Sequence, residues 1–123
     1  MSKIYIASKT KHAARWRELR DKQQYKISST WIDNVGTVGL AEICIKEVLE
    51  SDCLVLYCED GEYLKGAFIE VGAALAAGIP VYVVGEALPL SSAFRQHPLW
   101  FQFDSIYHAL DYAGGMLRGE NYE

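Results

Sequence analysis

The sequence predicts an α/β fold with helices on both faces of a five-stranded parallel sheet, and three observations carry that prediction. Short apolar runs rich in β-branched and aromatic residues alternate with helical stretches along the chain, the pattern of right-handed crossovers between parallel strands. The central run, Cys53-Leu-Val-Leu-Tyr-Cys58 behind Asp52, is apolar throughout, as a strand covered on both faces has to be. The 123 residues, 50% apolar and 23% charged, suit one domain with one core over residues 1–123. The expected architecture is a small doubly wound sheet in three layers.

The first β-prone run, Lys3-Ile-Tyr-Ile-Ala7, predicts a strand, and the charged stretch after it, with Trp16 and Leu19 three apart, predicts a helix. Tyr25-Lys-Ile-Ser28 reads as a weak second strand. Gly36 and Gly39 then punctuate the chain before Leu40, Ile43, Val48 and Leu49. That spacing predicts a helix with Glu42, Lys46, Glu47 and Glu50 turned outward. The central strand leads through the polar loop Glu59-Asp-Gly-Glu62 into a helix of small residues from Gly66 to Gly78. Gly78 stops that helix and Pro80 opens the strand Val81-Tyr-Val-Val84. A loop over residues 85–98, with a turn of helix at Ser92-Ala-Phe-Arg95, precedes a strand at Leu99-Trp-Phe-Gln102 and a last helix from about Asp104.

Composition excludes several classes. Eight Tyr, 4 Phe and 3 Trp make the chain too hydrophobic for disorder, and a net charge of −4 argues against nucleic acid as a partner. Cys44, Cys53 and Cys58 are an odd number for a disulfide framework, and their intervals fit no metal-ligand pattern, so no metal is expected. Residues 1–25 lack the apolar core of a signal peptide, and no window has the roughly 18 apolar residues of a membrane span. A cytoplasmic protein with no membrane partner is the expectation. The net charge is unevenly spread: residues 1–26 hold eight Lys or Arg and two Asp or Glu, a balance of +6, and the remainder holds four and fourteen, a balance of −10. The basic stretch is either a solvated helix face or the edge of a pocket for an anionic ligand.

Ligands of open α/β sheets lie outside the carboxyl ends of the strands, here the loops 8–11, 29–37, 59–65 and 85–97. Glu70, in or near the first turn of the small-residue helix and set among Phe68, Ile69, Val71 and Ala73, is the leading acid. A carboxylate kept ionised at a helix N-terminus in an apolar cleft serves as nucleophile or general base; the competing reading is a helix-starting Glu with no further role. Tyr5, inside the first strand, carries a hydroxyl that reaches either the cleft or the core. Ser8, Lys9 and Lys11 offer hydroxyl and cations at the head of the first helix, a phosphate cradle without the glycines of a nucleotide fingerprint. Trp31 is placed to stack on a base or to close the core. His12, His97 and His108 are scattered and pair with no visible nucleophile.

Three segments, Lys3-Ile-Tyr-Ile-Ala7, the strand Ser51-Asp-Cys-Leu-Val-Leu-Tyr57 and Gly66-Ala-Phe-Ile-Glu-Val-Gly-Ala-Ala-Leu-Ala-Ala-Gly-Ile-Pro-Val81, together resemble the nucleoside 2-deoxyribosyltransferase family, which includes deoxynucleoside 5′-monophosphate N-glycosidases. The likeness runs from about Lys3 to Arg95, and its most specific part is Gly-x-x-x-Glu-x-Gly-x-Ala from Gly66, whose Glu follows Asp52 by 18 residues. The resemblance implies a flavodoxin-like, Rossmann-like fold and cleavage of the N-glycosidic bond of 2′-deoxynucleosides without a cofactor. It implies Glu70 as the nucleophile that forms a glycosyl-enzyme, Tyr5 as the tyrosine that positions it, and Ser92 as a residue lent to a neighbouring subunit's site. Ser8, Lys9, Lys11, Trp31, Asp33 and Gly66 complete the residues expected at the substrate. The family's leaving-group aspartate, eight residues before Asp52, is here Cys44, which leaves Glu42 or Asp33 for that role, or a loss of activity. The partner implied is a nucleoside or nucleotide, with the basic stretch of residues 9–20 as receptor for any 5′-phosphate, and a chain this small implies a homodimer or higher homo-oligomer. A non-catalytic nucleotide-binding or sensing domain is the alternative; a flavin electron carrier lacks its phosphate loop after the first strand.

Overall fold

A computed structural model describes residues 3–86 and 94–118. Four strands, β1 (Ile4–Ala7), β2 (Cys53–Tyr57), β3 (Val81–Val84) and β4 (Trp100–Phe103), form a wholly parallel sheet in the order β1-β2-β3-β4. Helices α1 (Ala13–Lys22), α2 (Leu40–Leu49), α3 (Gly66–Ala76) and α4 (Ile106–Arg118) alternate with them, and short 3₁₀ turns occupy Thr10–His12, Thr30–Asp33 and Phe94–Gln96. Every residue of β1, β2 and β3 is buried, so both faces of the sheet are covered, as the apolar run at residues 53–58 required. α3 packs on β1, β2, β3 and α2, while α4 packs on β2, β3 and β4. No helix among the described residues is long and apolar enough to cross a membrane.

The strand expected at Tyr25–Ser28 is reduced to a single parallel bridge between Ile27 and Ile4. Ile4 N–H donates to the Lys26 carbonyl and Ser28 N–H to that of Ile4, both at 2.9 Å. The ladder stops there because the next amide of β1, Ile6 N–H, donates to the Ser29 hydroxyl at 3.1 Å instead of to a backbone carbonyl. A side chain has taken the place of the next strand residue, and the chain turns into the 3₁₀ segment that carries Trp31.

α2 also differs from the expected pattern. Its inward seam is Leu40, Cys44 and Val48, spaced by four, while Ile43 and Leu49 are exposed and Glu47 is half-buried. α2 packs on α3 and the Thr30–Asp33 turn, and the seam brings a thiol, rather than a branched apolar side chain, toward Tyr5 and Glu70. α3 ends as its sequence predicts: Gly78 takes φ +77°, and Ile79 N–H returns to the Ala74 carbonyl at 2.8 Å.

Candidate active site

Glu70 is the fifth residue of α3 and stands in its second turn, not the first, which holds no acidic residue. The expectation that the helix N-terminus keeps it ionised is therefore corrected, since that influence fades within the first turn. Glu70 is half-buried and faces β1, where the Tyr5 side chain is fully buried. The Tyr5 hydroxyl donates a hydrogen bond to Glu70 Oε2. From α2 the Cys44 thiol reaches both groups. Burial pushes the Glu70 carboxyl above its ordinary range, the Tyr5 and Cys44 hydrogen bonds oppose it, and the Glu47 charge adds to the rise. Burial and then the Glu70 charge raise the Tyr5 hydroxyl far above its ordinary value, so it stays a donor. The Cys44 thiol is likewise raised, first by burial, and stays uncharged at neutral pH.

A cavity of about 370 Å³ opens beside this pair. Ser8 and Thr10 after β1, Trp31 in the 3₁₀ turn, and the loop Val35-Gly-Thr37 form one side. Leu40, Ala41, Cys44 and Ile45 of α2 and Gly66, Ala67, Ile69 and Glu70 of α3 form the other. Among the described residues Glu70 is the one charged side chain of this lining. Trp31 is held in place by its indole N–H, which donates to the Ile6 carbonyl at 2.7 Å, so it is a fixed wall. Ser8 is oriented in the same way: its oxygen accepts from Trp16 Nε1 at 2.8 Å and its hydroxyl donates to the Lys9 carbonyl at 2.9 Å.

The structure thus brings together Tyr5, Ser8, Trp31, Gly66 and Glu70, and leaves other expected residues apart. Lys9 and Lys11 do not line the cavity, and Lys11 Nζ lies 3.3 Å from Glu62 Oε2. Asp33 is outside the lining too, bound by both amino groups of the Arg20 guanidinium at 2.6 and 3.1 Å. Ser92 lies outside the described residues. Arg17 Nη1 donates to the Ile32 carbonyl, so Arg17 and Arg20 together brace the turn that carries Trp31. Arg15 donates to the Tyr57 hydroxyl at 3.0 Å and stacks over the Trp16 and Tyr57 rings.

A second polar cluster was not legible from the scattered histidines. His12 Nε2 lies 2.8 Å from Glu62 Oε2, and ligand atoms of His12, Glu59 and Glu62 all fall within 4.8 Å of one another. Burial alone would raise the Glu62 carboxyl, but the Glu59 N–H, His12 and Lys11 outweigh it and hold it below its ordinary range. The available signal was positional: His12 follows β1 and Glu59 and Glu62 follow β2, and adjacent parallel strands bring their carboxyl-end loops side by side. The donor types could hold a cation, yet Glu62 Oε2 is already shared by His12 Nε2 and the Lys11 ammonium, so its partners are supplied from within the chain. The chain matches no protein-family model and no curated protein sequence.

Proposed function

We propose that this chain is a nucleoside 2-deoxyribosyltransferase-like enzyme that cleaves or transfers the N-glycosidic bond of a 2′-deoxynucleoside or its 5′-monophosphate through a glycosyl-Glu70 intermediate. The observation that carries the reading is the Tyr5–Glu70 hydrogen bond at the edge of an otherwise apolar cavity. Tyr5 is fixed in the sheet and engages Oε2, which leaves Oε1 to attack the anomeric carbon. A carboxylate raised by burial is a stronger nucleophile and base than an exposed one, and the two donors beside it favour its ionised form against that burial. The apolar walls from α2 and α3 limit water at the reacting carbon. Water or a second base then takes the sugar, which separates hydrolase from transferase.

The parallel bridge at Ile27, on the outer side of β1, supports a flavodoxin-like strand order with its fifth strand cut to one residue pair. Val35 and Ile69 are exposed although they line the cavity, and Val38 beside them is 96% exposed, which supports a homodimer that covers the cavity mouth. The enzyme would act in the cytoplasm on small molecules, with no nucleic acid partner. Incubation with deoxynucleosides and their monophosphates, with free base followed by chromatography, tests the reading. Release that disappears in Glu70→Ala supports it. Tight nucleotide binding without release, unchanged in Glu70→Ala, favours the non-catalytic sensing domain, the reading that the thiol at Cys44 keeps open.

A further inference from the structure

We infer that this cavity is suited to N-glycosides whose leaving base is already cationic, an N-alkylated purine or a pyridinium, and expels neutral bases far more slowly. The inference rests on the reading of Glu70 as nucleophile. Departure of a neutral purine or pyrimidine places negative charge on its ring nitrogen unless an acid delivers a proton there, a contribution of about 10²–10⁴ in rate. Among the described residues the lining holds no acid for that task besides Glu70, which is occupied as the nucleophile. Asp33 is bound to Arg20, Glu47 accepts from the Thr30 amide and hydroxyl at 3.0 and 2.7 Å, and Glu42 is exposed on α2 outside the lining. The proton-bearing groups that do reach Glu70 are the Tyr5 hydroxyl and the Cys44 thiol. Burial and the Glu70 charge raise both, so neither is an effective acid at neutral pH.

The same lining favours a positive ligand. It contains no Lys, Arg or His among the described residues, and the Glu47 charge reaches Glu70. The Trp31 indole adds an aromatic wall of the kind that attracts a delocalised cation. With such a substrate the chemistry balances without an acid. Glu70 Oε1 forms a bond to the anomeric carbon, the bond from that carbon to the ring nitrogen breaks, and its electron pair neutralises the cationic ring. Water then attacks the same carbon, the ester bond to Glu70 breaks with its pair returning to the carboxylate, and the proton of the water passes to solvent.

The test compares kcat/KM of the wild-type chain on two pairs: 7-methyl-2′-deoxyguanosine against 2′-deoxyguanosine, and the 2′-deoxyriboside of nicotinamide against thymidine. The expected result is a preference of at least about 100-fold for the cationic member of each pair, lost in Glu70→Ala. Cys44→Asp, which places a carboxyl beside Glu70, is expected to narrow the gap by at least about 10-fold through faster release of neutral bases. Equal or reversed preference in the wild type, or a folded Cys44→Asp with an unchanged gap, overturns the inference and leaves the glycosyl-transfer reading standing. Release from none of the four compounds, or release that survives Glu70→Ala, overturns both. If Cys44→Asp fails to fold by circular dichroism, the wild-type comparison still decides.

Discussion

Tyr5 and Glu70 are 65 residues apart in sequence and share one hydrogen bond, which works on each beside the larger effect of burial. Removing the Tyr5 hydroxyl leaves the half-buried carboxylate with the Cys44 thiol as its remaining donor in this group. Tyr5→Phe is therefore expected to lower base release by roughly 10- to 100-fold, the worth of a hydrogen bond to a charged group. Because that bond holds the Glu70 carboxyl down, its loss moves the acid limb of the pH–rate profile to higher pH, a shift that a merely structural defect would not produce. Stability has the opposite sense. A carboxyl whose folded-state value is raised stabilises the fold below its ordinary 4.5, and that contribution is lost as pH rises through the raised value. Above that raised value the ionised Glu70 thus opposes folding. Glu70→Gln, which keeps an acceptor for Tyr5, should melt above the wild type at pH 7, with the gap closing below pH 4.5 in calorimetry. That Tyr5 and Glu70 meet was legible in the sequence through the family resemblance, but not the source of their electrostatics. Glu70 was expected to be governed by the helix N-terminus, and one further residue along α3 gave burial the larger part.

At the scale of elements, the turns at the strand ends set how closely neighbouring strands approach. Gly85, directly after β3, has φ +98°, and a Cβ built on it would lie 1.9 Å from the Cys58 carbonyl oxygen at the end of β2. Backbone, not a flexible side chain, fills that space, so no rotamer relieves the clash. Gly85→Ala is expected to cost at least about 2 kcal/mol and to lower the melting temperature by about 8 °C in a chain of this size. The alternation of apolar runs made β2, β3 and α3 legible, because each obeys one rule along its length. The segment 25–28 did not, since its pairing depends on the Ser29 hydroxyl capturing Ile6 N–H, a competition between side chain and backbone that periodicity does not record. α2 was legible as a helix and not in its facing. Its apolar residues outnumber the positions that α3 and the Thr30–Asp33 turn can cover, and packing chose the Leu40, Cys44 and Val48 row over Ile43 and Leu49.

Across the whole molecule, the +6 of residues 1–26 does not converge on the cavity. Lys11 is paired with Glu62, Arg15 lies on Tyr57 and Trp16, Arg17 holds the Ile32 carbonyl, and Arg20 holds Asp33. The sequence showed the charge asymmetry plainly, and left open whether it was a solvated face or a pocket edge. Folding gives a third use: Lys11 and Arg15 tie the segment after β1 to the end of β2, and Arg17 and Arg20 tie α1 to the turn at Thr30–Asp33. Most of these pairs are partly exposed, so each contributes little to stability alone, about 0–1 kcal/mol. Arg17 and Arg20 brace the turn that carries Trp31, and with these cations engaged elsewhere the lining holds no positive charge among the described residues. A substrate 5′-phosphate then meets no cation among the described residues of the lining, and an exposed lysine outside it is worth about 1 kcal/mol at most. Adding a 5′-phosphate to a nucleoside that the protein cleaves is expected to change kcat/KM by less than about fivefold, with little dependence on salt. Parallel kinetics on a deoxynucleoside and its monophosphate, at low and at physiological ionic strength, measure this. A preference for the monophosphate of about 100-fold that collapses with added salt would return Lys9 and Lys11 to the substrate and show that the braces release on binding.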